Sequence, residues 1–140
     1  TGRLMSYKSP SGALVIDDSY NANPGSVRAA IDVLAECDGH SALILGTMQE
    51  LGPKSDFFHR EIGEYAKDKG IANFCVLGDQ VLPALDAFGQ SGRWFSNQPD
   101  LIDTATSYFG AGDVILIKGS RSESMEIIVE SLITREKSSC

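Results

Sequence analysis

Short apolar runs alternate along the chain with segments whose apolar residues recur at helical spacing. Three strand-length runs are almost continuously apolar: 42–45, 73–77 and 114–117. Between them, residues such as Val27, Ile31 and Leu34 place their side chains on one face of a helix. Apolar strands separated by helices are typical of a parallel sheet that is covered on both faces. The pattern therefore predicts a single α/β domain over residues 1–140, doubly wound and mostly parallel.

Turn and helix signals divide the chain further. The cluster Ser9-Pro10-Ser11-Gly12 separates two strand-like stretches, 3–8 and 13–16, and predicts that they pair as a hairpin. Asn23 followed by Pro24 predicts the start of the first helix, which ends before Gly39. Later helices are expected at 56–69, 81–88, 101–109 and 122–133, with a short strand at 93–95.

Composition narrows the class of protein. With 140 residues, 42% of them hydrophobic and no apolar run of about 18 positions, the chain is expected to be soluble and not membrane-spanning. A net charge of −7 argues against a nucleic-acid partner, because phosphate binding needs clustered Lys and Arg. The three cysteines are too far apart for a metal site or a disulfide framework, which favours a reducing compartment. The start at Thr1, without Met or an export leader, is consistent with a fragment of a longer protein.

In doubly wound folds, ligands bind beyond the carboxyl ends of the strands, so the loops there are the candidate site. The richest loop runs from Asp17 to Gly25 and reads DDSYNANPG. Its carboxylates can accept hydrogen bonds from sugar hydroxyls, and the helix start that follows favours phosphate or carboxylate. The alternative is that Asp18 and Asn23 only cap the turn and the helix. The string as a whole favours a binding function.

Three other strand ends carry polar residues. The loop Lys118-Gly119-Ser120-Arg121-Ser122 places two cations and two hydroxyls before the last helix, which suits a carboxylate or phosphate. Asp79, after the strand 73–77, either caps the next helix or meets a ligand ammonium group. The loop 46–52 is interpreted as a simple connection between strand and helix.

Several kinds of site are missing from the sequence. It contains no Gly-x-x-x-x-Gly-Lys-Ser/Thr loop and no Gly-x-Gly-x-x-Gly after the first strand, so it is neither a P-loop enzyme by itself nor an evident dinucleotide dehydrogenase. No His/Cys cluster indicates a metal site. His59 lies on a predicted helix face and is interpreted as structural.

Taken together, these residues resemble one family. The motifs occur in order over about residues 2–133: Gly2-Arg3-Leu4, then DDSYNANP at 17–24, LGxMxELG at 45–52, HREIG at 59–63 and GDVxLxKGSR at 112–121. They resemble the C-terminal domain of the Mur ligases, most closely the members that add D-Ala-D-Ala to a UDP-sugar tripeptide. One departure is visible, since the family pattern has an aspartate where this chain has Thr47.

The resemblance implies a Rossmann-like third domain of a three-domain, monomeric enzyme of peptidoglycan synthesis in the bacterial cytoplasm. In that family, ATP and Mg²⁺ act in a central ATPase domain of the same chain. The tripeptide carboxylate is phosphorylated, and the dipeptide amine then forms the amide. The third domain swings onto the central one to complete the site, so this chain alone is expected to be inactive and to bind no cofactor tightly.

The resemblance also implies roles for individual residues, and no catalytic residue is expected in this domain. Five residues match nucleotide-binding positions: Arg3, Asp18, Tyr20, Asn21 and Asn23. Four match positions that hold the incoming amino acid or dipeptide: Asp79, Lys118, Ser120 and Arg121. The chemistry agrees, because a cationic loop suits the dipeptide carboxylate and an acidic side chain suits its ammonium group.

Two alternatives stay open from the residues alone. Asp17 and Asp18 after an early strand, with Lys118 after a late one, partly match the acidic pocket and lysine of a phosphorylation-dependent receiver domain. A receiver, however, needs an aspartate at the end of a middle strand, and Leu45 is followed by Gly46. A nicotinamide-binding domain is less favoured still, because the glycine fingerprint is missing.

Overall fold

The computed structural model describes residues 5–120 and 123–134, which form one six-stranded sheet with helices on both faces. The strands are β1 Met5–Lys8, β2 Leu14–Asp18, β3 His40–Leu45, β4 Asn73–Leu77, β5 Gly92–Phe95 and β6 Asp113–Lys118. The helices are α1 Pro24–Glu36, α2 Ser55–Asp68, α3 Leu82–Phe88, α4 Gln98–Tyr108 and α5 Glu126–Thr134. Short 3-10 turns at Gly52–Lys54 and Asp79–Val81 precede α2 and α3.

The strand order is β1-β2-β6-β3-β4-β5, so the last strand of the chain lies in the middle of the sheet. β1 and β2 pair antiparallel as the predicted hairpin, and every other neighbouring pair is parallel. The hairpin turn uses Gly12 at φ +97°, a left-handed conformation that glycine adopts without strain. The predicted α/β, mostly parallel architecture is confirmed.

Two hydrophobic cores lie on opposite faces of the sheet, because side chains alternate along each strand. In β6, Leu116 points towards the core formed with α1, α2 and α3, whereas Ile117 points towards the core formed with α4 and α5. The helical pattern at Val27, Ile31 and Leu34 is buried, as predicted. The sheet is therefore anchored from both sides, and its carboxyl edge is held in a fixed position.

Helix starts were the least accurate part of the sequence prediction. Helix α4 begins at Gln98, three residues before the predicted start, because the Asn97 side chain accepts a hydrogen bond from the Asp100 N–H and caps it. Helix α5 begins at Glu126 and not at Ser122. Ser124 has φ +53°, which is incompatible with an α-helix running through that position.

The described residues also address two further expectations, that no segment spans a membrane and that Cys75 is a core residue. Within 5–120 and 123–134, no helix has both the length and the apolar character needed to cross a membrane. Cys75 is buried in the core, as predicted, and its thiol is free. Burial raises the pKa of the Cys75 thiol to about 11, which keeps it protonated and inert.

The contact between α2 and α3 depends on a glycine. A Cβ added at Gly63 would lie 2.0 Å from the Ala84 carbonyl oxygen, so the two helices would have to separate. We expect Gly63→Ala to lower the free energy of unfolding by about 1–3 kcal/mol, the usual cost of overpacking a core. Urea denaturation of the chain measures this, with the exposed Glu64→Ala on the same helix as the control. Equal stability of the two variants would contradict the close contact.

Candidate functional site

The carboxyl ends of four parallel strands form one continuous rim, in the spatial order β2, β6, β3, β4. The loops that follow Asp18, Lys118, Leu45 and Leu77 therefore lie side by side, as the sequence predicted. This brings together residues that are far apart in the chain. The β2 and β6 loops form one half of the rim. The β6 loop also meets the β3 loop, and together these two form a second cluster of polar residues.

The loop after β2 is held by its own side chains. The Asp17 carboxylate accepts hydrogen bonds from the Ser19 N–H at 3.0 Å and from the Ser19 hydroxyl at 2.6 Å. Asn23 caps α1, since its Oδ1 accepts from the Ser26 N–H at 2.9 Å, and the Ser26 side chain returns the contact. The capping role considered for Asn23 is thus confirmed. Asn21 accepts from the Ala22 N–H at 2.9 Å, so the loop has a defined shape before any ligand binds.

A buried ion pair joins the ends of β2 and β6. Asp18 and Lys118 are register partners, and the Lys118 Nζ lies 3.0 Å from the Asp18 Oδ2. Only 4% of the Lys118 side chain and 15% of the Asp18 side chain are exposed. Burial raises the pKa of Asp18, and the hydrogen bond and charge of Lys118 oppose that shift. The lysine thus favours the charged carboxylate and fixes one of its oxygens.

A cavity of about 350 Å³ opens beside this pair. Its polar lining comes from Asp18, Tyr20, Asn21, Ser26 and Lys118, and its apolar lining from residues 29, 30 and 33 of α1. Tyr20 is half-exposed at the edge of the cavity. The arrangement suits a flat or ring-shaped ligand that carries hydroxyl groups, because the helix face accepts apolar surface while the carboxylate and amide form hydrogen bonds.

The loop after β3 is fixed by a buried histidine. The Met48 N–H donates to the His59 Nε2 at 3.0 Å, and the His59 Nδ1–H donates to the Ser55 carbonyl at 2.9 Å. This pattern requires the neutral ring with its proton on Nδ1. Burial lowers the pKa of His59 accordingly. The structural interpretation of His59 is confirmed, and the loop it holds is more than the simple connection that the sequence suggested.

A half-buried carboxylate that the sequence did not single out links the β3 and β6 loops. The Glu123 Oε1 accepts from the Thr47 N–H at 2.7 Å, and the Thr47 and Ser120 hydroxyls also hydrogen-bond to the Glu123 carboxylate. Burial raises the pKa of Glu123, and these hydrogen bonds oppose that shift. Gly46 leaves room for the carboxylate, since a Cβ there would lie 2.4 Å from its Oε1. The sequence prediction began the last helix at Ser122, so Glu123 was assigned to that helix and not to the loop.

The remaining predicted site residues have different positions. Asp79 is exposed in the 3-10 turn after β4, and the N-cap of α3 is Val81, so Asp79 does not cap that helix. Arg3 and Arg121 lie outside the described residues. In the described part of the chain, no group of three or more His, Cys, Asp or Glu side chains is arranged to hold a metal ion.

Comparisons with known proteins agree on one family. The model for the Mur ligase, glutamate ligase domain matches residues 2–121. The UDP-N-acetylmuramoyl-tripeptide–D-alanyl-D-alanine ligase of Escherichia coli K12 is 40% identical over 99% of this chain. The Bacillus subtilis 168 ligase of the same name is 34% identical over 94% of the chain. The chain spans about 30% of the length of each of these relatives.

Solved structures give the same picture. A crystal structure of MurF ligase from Thermotoga maritima in complex with ADP has a TM-score of 0.81 and 25% identity, covering 94% of this chain and 30% of that one. A crystal structure of MurF from Acinetobacter baumannii has a TM-score of 0.83 and 30% identity, covering 96% and 30%. Both similarities extend over nearly all of the fold described above.

The buried Asp18–Lys118 pair generates a stability prediction. We expect Lys118→Met to lower the free energy of unfolding by about 3 kcal/mol, because it leaves a buried carboxylate without its cation. The double variant Asp18→Asn/Lys118→Met should recover part of that loss. The half-exposed pair of Lys69 with Asp32, at 3.6 Å, gives the control: Lys69→Met should cost less than about 1 kcal/mol. Similar losses for both lysines in urea denaturation would contradict the buried pair.

The neutral His59 predicts a pH dependence. Its pKa in the folded chain is lowered below the ordinary value of 6.5, so the unfolded chain binds more protons as the pH falls below that value. The contribution of His59 to stability is therefore present above about pH 6.5 and is lost on acidification. We expect the stability advantage of the wild type over His59→Gln to shrink between about pH 7.5 and about pH 5.5, measured by urea denaturation.

The exposed His40 provides the control for this titration. A His40→Gln chain still contains His59, so its own advantage over the double variant His40→Gln/His59→Gln should shrink in the same way. A difference between wild type and His59→Gln that stays constant over this pH range would rule out the neutral, buried ring.

Proposed function

Because the chain belongs to the Mur ligase, glutamate ligase domain family, we propose that it is the C-terminal domain of an ATP-dependent ligase joining D-Ala-D-Ala to UDP-N-acetylmuramoyl-tripeptide. The observation that carries the proposal is the Asp18 carboxylate, which pairs with Lys118 at the edge of a cavity on the carboxyl rim. Relatives with this reaction in their names align with nearly the whole chain. Their greater length leaves room for the other two domains.

In the proposed reaction, ATP transfers its terminal phosphoryl group to the tripeptide carboxylate, and ADP leaves. The amine of D-Ala-D-Ala attacks the acyl phosphate, the new C–N bond forms, and inorganic phosphate leaves with loss of a proton from nitrogen. ATP and Mg²⁺ bind mainly in the central domain of the same chain. The present domain closes onto that centre by a hinge motion and completes the site. The setting is peptidoglycan synthesis in the bacterial cytoplasm, by a monomeric enzyme.

We assign the β2 loop and its cavity to the nucleotide. Asp18 has one carboxylate oxygen fixed by Lys118 and accepts the ribose hydroxyls with the other. Tyr20 and Asn21 line the same cavity and contact the nucleoside. Asn23 shapes this site through its cap on α1, whose N-terminus contributes a partial positive charge. Arg3, which precedes β1 in the sequence, is assigned to the ribose and phosphates by the family resemblance alone.

We assign the β6 loop to the incoming dipeptide. Ser120 and Arg121 lie in the loop that the family uses for this substrate, and Arg121 can bind both oxygens of its carboxylate. Asp79 follows β4, which is separated from β6 by β3, and it is exposed, so it is available to an ammonium group. Lys118 lies between the residues assigned to the nucleotide and those assigned to the dipeptide. Its ammonium group contacts Asp18, so its charge acts first on the nucleotide side.

The receiver alternative has lost its support. The two central strands, β6 and β3, end in Lys118 and Leu45, so neither supplies the aspartate that a phosphorylated receiver needs. Asp17 is engaged with Ser19, and Asp18 is engaged with Lys118. A single buried ion pair replaces the open cluster of acids that would bind the receiver's metal.

The test is ligase activity of the full-length enzyme that contains this chain. We expect amide formation that depends on ATP, the UDP-sugar tripeptide and D-Ala-D-Ala, followed by mass spectrometry and phosphate release. Asp18→Asn should raise the KM for ATP by about tenfold, the value of one hydrogen bond to a charged group, with little change in the KM for the dipeptide. The 140-residue chain alone should form no amide.

The control is Asp86→Asn, which removes an exposed carboxylate on α3, away from the rim. It should leave both KM values unchanged. Absence of ligase activity in the folded full-length enzyme would overturn the proposed function. An active enzyme whose KM for ATP is the same in wild type and Asp18→Asn would overturn only the nucleotide assignment.

A further inference from the structure

The acid that follows β4 comes directly after a residue that does not fix its own conformation. Gly78 has φ +98°, and glycine changes its backbone conformation at little cost. Asp79 is next in the chain and is exposed. Among the described residues, its carboxylate has no hydrogen-bond or ion-pair partner. The Asp79 carboxylate therefore keeps one position only if other contacts hold the backbone in front of it.

The edge strand β5 supplies those contacts. The Gly78 N–H donates to the Phe95 carbonyl at 3.0 Å, and the Trp94 Nε1–H donates to the Gly78 carbonyl at 2.9 Å. These two hydrogen bonds hold the peptide groups on both sides of Gly78, so they fix the point at which Asp79 leaves the strand. The contact with the Phe95 carbonyl needs only backbone atoms. The contact from Trp94 depends on its side chain and can be removed by substitution.

Trp94 is the single tryptophan of the chain and is not a core residue. Its surface is 39% exposed, and β5 lies at the edge of the sheet. The loop that it holds belongs to the rim, because a Cβ added at Gly78 would lie 3.4 Å from the Thr47 Oγ1 of the β3 loop. The indole thus joins the outermost strand to the β4 end of the rim.

We propose that Trp94 is a positioning residue, which holds the Gly78 peptide so that the Asp79 carboxylate stays in place for the ammonium group of the incoming dipeptide. This inference rests on the proposed ligase function and deepens it, because it extends the dipeptide site to the edge strand. A charge-assisted hydrogen bond weakens quickly as its donor and acceptor separate, so a displaced Asp79 binds the dipeptide less well even in a folded enzyme. Trp94 acts through Asp79 and needs no contact with the substrate.

The experiment is a double-mutant cycle in the full-length ligase. Trp94→Phe keeps an aromatic ring and removes the N–H that holds the Gly78 carbonyl. We expect it to raise the KM for D-Ala-D-Ala about fivefold, the value of one neutral hydrogen bond, while the KM for ATP stays within about twofold. Asp79→Ala should raise the KM for the dipeptide about tenfold, because it removes a charged partner. The double variant should be no worse than Asp79→Ala alone, since both changes act on the same contact.

Tyr108→Phe is the matched control, because it removes a polar group from another exposed aromatic ring. Tyr108 ends α4 and lies near Asn73, the first residue of β4, at the edge of the sheet opposite the rim. This variant should change neither KM.

Melting temperatures show whether each variant is folded. If Trp94→Phe is not, benzothienylalanine at position 94 takes its place, because sulfur then replaces the N–H and the two-ring shape is kept. An unchanged KM for the dipeptide in Trp94→Phe or in Asp79→Ala would overturn the inference. Equal increases in both KM values, or multiplicative effects in the double variant, would also overturn it. In each of these cases an active wild-type ligase leaves the proposed function standing, whereas a wild-type enzyme that forms no amide would overturn both.

Discussion

A charge at the end of a buried strand must be paired with an opposite charge or with hydrogen bonds. Most of the contacts described at the rim follow from that constraint. Asp18 and Lys118 end adjacent strands inside the protein, where an unpaired ion of either sign would be strongly unfavourable. The same requirement gives Glu123 its hydrogen-bond donors and keeps His59 neutral. The ion pair joins two strand ends, Glu123 joins two loops, and His59 joins the β3 loop to α2. These contacts give the described part of the rim a defined shape before any ligand binds.

Much of the fold could be predicted because it depends on local signals. The apolar runs at β3, β4 and β6, the turn at Ser9–Gly12 and the cap at Asn23 are all visible in short windows of sequence. The motif around Asp18 also predicted a site at the carboxyl edge of the sheet, and a cavity lies beside Asp18 there. A short window of sequence could not predict that Lys118 is the partner of Asp18. The contact depends on β6 pairing beside β2, and the strand order is a property of the whole sheet.

Glu123 shows the other limit of sequence reading. Its role depends on the left-handed backbone at Ser124 and on the Gln98 side chain, which donates to the Glu123 carbonyl, and neither has a distinctive pattern in the sequence. The departure at Thr47 gains a meaning from it. The Thr47 N–H and hydroxyl hold the Glu123 carboxylate, which belongs to the β6 loop.

The central position of β6 also governs how the chain can assemble during synthesis. Strands β1 and β2 are made first and β3 to β5 later, yet the two groups meet only through β6, which pairs with β2 on one side and β3 on the other. Until residues 113–118 leave the ribosome, the inner edges of β2 and β3 lack the strand that pairs with both of them in the finished sheet. Open edges of this kind invite pairing with other chains. Completion of the sheet and formation of the Asp18–Lys118 pair consequently require the same strand, so this half of the rim forms only after residues 113–118 have been made.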